Sequence, residues 1–184
     1  MDNIWTYAYL AMLVIYKLAE NVAMRKTETL ARKTRWEWSM ALIAVPYYLV
    51  MAVPLVEHLY FQWAGGYLYW ILGGICFLGG TFFRVRGHLD LQQGFSMAIE
   101  EVEQARLVQT GLYAHIRHPL YLGNLCLFVA CPLFMAAHYS WALTVLGAIG
   151  ILWRIQIEER FLQAHLEGYE AYMERTWALF PWTY

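Results

Sequence analysis

The chain is poor in charge and lacks the cysteine patterns that mark disulfide frameworks and zinc sites. Only 15% of its 184 residues are charged, against about 25% in a typical soluble domain. Its three cysteines (Cys76, Cys126 and Cys131) stand singly inside apolar runs, and none belongs to a CxxC pair. We therefore expect no metal site. The net charge of −1 gives no reason to expect nucleic-acid binding. A signal-peptide cleavage pattern is also missing, so we expect the first apolar segment to be retained.

What the chain has instead is long apolar runs, which contribute to a hydrophobic content of 60%. A membrane-spanning helix needs about 20 mostly apolar residues. Five runs approach this length: 4–23, 38–57, 66–84, 119–138 and 140–157. The sequence thus predicts an all-α integral membrane protein with about five transmembrane helices, surrounded by the lipid bilayer. Because almost nothing separates the last two runs, we expect them to form a tight antiparallel hairpin.

Lysine and arginine are unevenly distributed between the connections. They are absent from 58–65 and from position 139, but they occur in 24–36, 85–118 and 158–184. The positive-inside rule then predicts an outside N-terminus, with the latter three segments and the C-terminus in the cytosol.

Two of these cytosolic segments, 85–118 and 158–184, are long and flank the last hairpin as flaps. The second is amphipathic at helical spacing, which is compatible with two arrangements. It either lies along the membrane surface or folds back over the hairpin as a cap.

The stretch "RHPLYLGN" opens the fourth run. Pro119 suits the first turn of a helix, which puts His118 at about the N-cap position. A helix start attracts anions, and Arg117 strengthens that effect. The alternative is an interfacial anchor, in which Arg117 snorkels and His118 caps the helix. Pairing of His115 with His118 on a metal is disfavoured, because the proline removes the helical geometry between them.

A second polar group ends the fifth run. Arg154 and Glu158 are four residues apart and share a helix face, either as a simple ion pair or as part of a site. A short hairpin turn would bring them, with Glu159, close to Arg117 and His118. Cations beside two carboxylates suit a zwitterionic ligand that carries both an ammonium and a carboxylate group.

The two motifs together, "GLYAHIRHPLYLGN" and "RIQIEERF" followed by "GYEAY" and "FP", resemble the isoprenylcysteine carboxyl methyltransferase family and its bacterial relatives. The resemblance covers roughly residues 85–184. It implies an integral-membrane methyltransferase that uses S-adenosylmethionine, whose methionine part is such a zwitterion. We expect one membrane-embedded domain, with a three-helix part at 1–84 and a catalytic part at 85–184. The implied active site lies at the cytosolic face.

The resemblance also implies roles for individual residues. Glu158 is implied to hold the cofactor's amino group, and Arg154 to face the substrate's carboxylate. Glu100 stands where the family often has a glutamine, which leaves the adenosyl contacts open. The implied cofactor-binding residues are Arg106, Leu107, Val108, Tyr113, His118, Pro119, Leu120, Tyr121 and Glu158.

The methyl acceptor is either a carboxylate or an amine. A carboxylate is already ionised at neutral pH, whereas an amine must lose a proton, for which Glu159 is the candidate base. Arg154 favours a carboxylate, so the expected reaction is O-methylation of a lipophilic small-molecule or prenyl-type acid. The expected catalytic residues are Arg154, Glu158 and Glu159. The alternatives are a phospholipid N-methyltransferase and a non-enzymatic membrane protein that retains the fold.

Overall fold

The structure is a computed structural model that describes residues 3–28, 38–63, 65–91 and 107–180. The described chain is helical and contains no β-strand, which confirms the all-α prediction for these ranges. Its helices are α1 (Asn3–Glu28), α2 (Trp38–Phe61), α3 (Tyr67–Leu91), α4 (Pro119–Phe134), α5 (Ser140–His165) and α6 (Tyr169–Met173). A 3₁₀ turn at Gly111–Ala114 precedes α4.

Three of the described helices are long and apolar enough to cross a membrane. They comprise Ile43–Phe61 of α2, all of α3 and all of α5, while α4 is a shorter apolar helix. Their exposed faces carry large apolar side chains such as Leu146 and Ile149, as expected for helices in contact with lipid. These features indicate a multi-pass integral membrane protein, and the number of five spans stays a prediction.

The helix ends differ from the ends of the apolar runs. Helices α1, α3 and α5 continue past the predicted ends at 23, 84 and 157 to residues 28, 91 and 165, because helical hydrogen bonding does not stop where hydropathy falls. Helix α4 instead ends at Phe134, four residues early. The expectation of an almost absent turn was therefore wrong, and residues 135–139 connect the two helices of the hairpin.

Glu57 on α2 explains how this turn is held. Its Oε1 accepts from the backbone N–H of Tyr139 at 2.8 Å, and its Oε2 accepts from the backbone N–H and hydroxyl of Ser140 at 2.9 and 2.6 Å. Such a carboxylate satisfies the unpaired donors at the start of α5 and complements its dipole. Glu57 therefore fixes the α4–α5 hairpin to α2.

Helices α3 and α4 pack antiparallel at very close range. A Cβ added at Gly73 would lie 2.7 Å from backbone atoms of Phe134, and one added at Gly80 would lie 2.9 Å from the carbonyl oxygen of Gly123. Small residues are required at these two positions because the helix backbones nearly touch. This contact sets the position of α3 relative to the start of α4.

Candidate active site

The 3₁₀ turn before α4 is attached to the end of α3. Asp90 accepts a hydrogen bond from the backbone N–H of Leu112 at 2.8 Å and forms an ion pair with Arg86 at 2.9 Å. Gly111 adopts a φ of 62°, and a side chain there would collide with the Asp90 carboxylate. The turn is thereby held in one position ahead of His118.

The chain after α5 folds back onto this same turn. The backbone N–H of Arg117 donates to the Trp177 carbonyl at 2.8 Å, and that of His118 donates to the Ala178 carbonyl at 3.1 Å. The described part of the segment after the fifth run thus returns to the residues that precede α4, while a cap over the hairpin stays a prediction. These bonds join the C-terminal segment to the entrance of α4.

Three buried tyrosines lie at this end of the molecule. The hydroxyl of Tyr172 donates to the backbone carbonyl of Tyr113 at 2.7 Å. Burial raises the pKa of Tyr172 to about 12 and raises the pKa values of Tyr113 and Tyr169 well above the ordinary range. All three phenols are therefore neutral hydrogen-bond donors at physiological pH.

The start of α4 and the end of α5 meet through a buried ion pair. His118 is the N-cap of α4 and Pro119 is its first residue, as the sequence indicated. The Nε of Arg117 donates to Oε1 of Glu159 at 2.7 Å, and Nε2 of His118 lies 3.2 Å from the same oxygen. Nη1 of Arg117 also donates to the Thr176 carbonyl, so one side chain connects α4, α5 and the C-terminal segment.

Glu158 makes a separate set of contacts. Its Oε2 accepts from the Tyr121 hydroxyl at 2.6 Å and lies 3.7 Å from Nε of Arg154. Its side chain is 25% exposed, whereas that of Arg154 is 5% exposed. Glu158 thus presents a partly accessible carboxylate that a tyrosine and an arginine hold in place.

A cavity of about 480 Å³ opens beside Glu158, and residues from α1 to α6 line it. Seven of the residues assigned by resemblance belong to its lining: Leu107, Val108, Tyr113, His118, Leu120, Tyr121 and Glu158. The described lining does not include Pro119, Arg154 or Glu159, which are buried next to it. Arg106 and Glu100 lie outside the described residues.

A second polar group lines the same cavity, and the sequence reasoning did not assign it a role. Glu20 Oε1 accepts from Arg84 Nε and from the Tyr16 hydroxyl, each at 2.7 Å. Glu20 Oε2 accepts from Lys17 Nζ at 2.7 Å and from the Tyr47 hydroxyl at 3.2 Å. We call Lys17, Glu20, Tyr47 and Arg84 the N-terminal polar cluster. Its sequence signal was the presence of Lys17 and Glu20 inside the first run, where ionisable residues often indicate function.

Asn124, one turn into α4, also lines this cavity. The residue is 2% exposed, and its Oδ1 has no hydrogen-bond partner among the described residues. A buried amide oxygen without a partner is unfavourable. A ligand that donates a hydrogen bond inside the cavity would satisfy it.

Comparison with known proteins identifies a family to which the chain is similar. The profile of the isoprenylcysteine carboxyl methyltransferase (ICMT) family matches residues 71–164, which include most of α3, the turn at 111–114, α4 and nearly all of α5. Methanethiol S-methyltransferase from Crocosphaera subtropica is 32% identical over 120 residues, which cover 62% of this chain and 46% of that protein. The protein of the same name from Mycobacterium tuberculosis is 41% identical over 73 residues, 39% of this chain and 29% of its own length. The chain therefore spans less than half the length of these curated relatives.

Because the family profile covers half of the chain and both polar groups at the α4–α5 junction, the chain belongs to the isoprenylcysteine carboxyl methyltransferase family.

Proposed function

We propose that this chain is a membrane methyltransferase that takes its methyl group from S-adenosylmethionine and transfers it to a lipophilic acceptor at the cytosolic face. The observation that carries the proposal is the Glu158 carboxylate at the wall of the 480 Å³ cavity, beside the start of α4. Small-molecule sites commonly have volumes of about 300–1,000 Å³. The cytosolic location rests on the distribution of Lys and Arg between the connections.

The residues present fit such a cofactor. Glu158 would hold its ammonium group, because Tyr121 and Arg154 orient the carboxylate while a quarter of the side chain stays accessible. The start of α4 favours its carboxylate through the helix dipole. The side chain of His118, at the N-cap, makes no capping hydrogen bond to the backbone N–H groups at the start of α4. When bound, the cofactor supplies a methyl group on a positively charged sulfur.

The two buried charges behind the cavity have supporting roles in this proposal. Glu159 holds Arg117 and His118 in position at the start of α4. Arg154, which is not among the cavity residues, pairs with Glu158. Direct contact of Arg154 with an acceptor carboxylate, and base catalysis by Glu159, stay predictions, and both need the side chains to reach the cavity.

The first candidate acceptor is the carboxylate of an isoprenoid or lipid-like acid. The cavity wall offers apolar surface for its chain, from residues such as Leu120, Leu162 and Leu166. A carboxylate is ionised at neutral pH and needs no catalytic base. The second candidate is a small thiol, which the names of the relatives favour. A thiol must ionise before it reacts, so a nearby positive charge would assist it.

Two measurements test this proposal. Calorimetry on the purified protein in detergent should detect S-adenosylhomocysteine binding in the micromolar range, and an absence of binding would favour the non-enzymatic alternative. Membranes incubated with methyl-labelled S-adenosylmethionine should then yield a labelled product. A base-labile methyl ester indicates the carboxylate acceptor, and a base-stable volatile thioether indicates the thiol. A base-stable lipid product indicates an amine.

A further inference from the structure

The N-terminal polar cluster carries more positive charge than its internal contacts require. Lys17 and Arg84 contribute two positive charges against the one negative charge of Glu20, so the three side chains sum to +1. Glu20 is 1% exposed and receives two bonds from Arg84 alone. That pair would be enough to neutralise Glu20 and to join α1 to α3. Lys17 is the additional cation.

Lys17 is also the accessible member of this cluster. Its side chain is 34% exposed, against 15% for Arg84, and it lines the cavity. The ammonium group lies 4.8 Å from the centre of the Tyr47 ring and 5.4 Å from that of Tyr48. Aromatic rings at such distances attract a cation. A partly sheltered group with net positive charge is a favourable partner for an anion.

The packing of α3 against α4 places this charge farther along α4 than His118. The Arg84 side chain passes over Gly123, where an added Cβ would lie 2.8 Å from the Arg84 Cγ. Gly123 follows His118 by five residues, which is about 7.5 Å along the axis of α4. Asn124, whose buried Oδ1 has no partner within the described ranges, is the next residue of α4 and lines the same space. Both polar regions therefore belong to one continuous cavity.

We propose that the N-terminal polar cluster, with Lys17 at its accessible edge, binds the anionic group of the methyl acceptor. This inference rests on the proposed methyltransferase function. The acceptor class is an apolar molecule with one anionic nucleophile, either a carboxylate or a thiolate. A thiol acceptor first releases its proton to water. The acceptor anion then forms a bond to the methyl carbon while the bond from that carbon to the positive sulfur breaks, so that two opposite charges become two neutral products.

The proposal is tested by binding, without the need for turnover. Hexanoate and the neutral isostere hexanamide are titrated into detergent-solubilised protein, with and without S-adenosylhomocysteine. We expect hexanoate to bind at least about tenfold more tightly, as charge-assisted hydrogen bonds allow, and Lys17→Met to reduce this preference to below about threefold. Lys17→Arg should keep the preference, because the charge is retained. Arg160→Met is the matched control, since it removes an exposed cation from α5 that is not among the cavity residues.

The results of these titrations either support or overturn the proposal. Equal affinities of the wild-type protein for the two probes would overturn it, and so would a preference that survives in Lys17→Met or disappears equally in Arg160→Met. Lys17→Gln repeats the comparison if Lys17→Met no longer binds S-adenosylhomocysteine. Failure of the wild-type protein to bind S-adenosylhomocysteine would remove the methyltransferase proposal, while the anion preference is still measured on the protein alone. Turnover of farnesoate and methanethiol distinguishes the two acceptors, because Lys17→Met should raise the KM of the true one at least about tenfold.

Discussion

Replacement of Glu158 by glutamine tests the cofactor site directly. The substitution keeps the size of the side chain and an oxygen that can accept from the Tyr121 hydroxyl, now 2.6 Å from Oε2. It removes the negative charge that is proposed to pair with the cofactor's ammonium. Arg154 pairs with this carboxylate, and its Nε lies 3.7 Å from Oε2. The variant therefore tests the effect of the Glu158 charge on cofactor binding while the shape of the side chain is kept.

The expected loss follows from the exposure of this side chain. A charge-assisted hydrogen bond contributes about 1.5–3 kcal/mol in a sheltered site. Because the Glu158 side chain is 25% exposed, solvent screening puts its contribution toward the lower end of that range. A loss of about 1.4 kcal/mol corresponds to a tenfold increase in Kd. We therefore expect Glu158→Gln to weaken S-adenosylhomocysteine binding by about tenfold or more.

Calorimetry of the purified variants in detergent measures this change in the Kd for S-adenosylhomocysteine. Glu174→Gln is the matched control, because it removes the same charge from an exposed position of the C-terminal segment. Tyr121→Phe removes one neutral donor and keeps the carboxylate, so a smaller loss of about 2- to 12-fold is expected. An unchanged Kd in Glu158→Gln would refute the cofactor role and leave Glu158 as a residue that lets α5 leave the membrane. An equal loss in Glu174→Gln would assign the effect to overall charge.

Three further predictions concern the surroundings of the site. Arg154→Lys keeps the charge but loses the planar guanidinium, and we expect cofactor affinity and turnover to fall together; a loss of about tenfold in turnover alone would instead support direct contact with the acceptor. Glu57→Gln weakens the cap of the α4–α5 turn and should destabilise the protein by about 0.5–2 kcal/mol in thermal unfolding, and an unchanged Tm would contradict the anchoring role. In a cysteine-free background, Tyr60→Cys should react with impermeant thiol reagents in sealed cells while Gln104→Cys should not, and the reverse pattern would overturn the predicted orientation.

The sequence by itself determined the local features of this protein. Apolar runs of membrane length indicated the long helices, and His118 and Pro119 marked the start of α4 correctly. The spacing of Arg154 and Glu158 predicted that they share a helix face, and the two side chains lie 3.7 Å apart. These features can be predicted from the sequence because they depend on the hydropathy and helical contacts of residues a few positions apart.

Only the tertiary structure decided which distant residues share the cavity. Glu20 and Arg84 are 64 positions apart and meet because α1 packs on α3. Trp177 pairs with Arg117 because the chain after α5 turns back on itself. The turn between α4 and α5 is held by Glu57, which belongs to another helix and accepts hydrogen bonds from the backbone N–H groups of Tyr139 and Ser140. No pattern within a few residues encodes such contacts, because each depends on how closely whole helices approach one another.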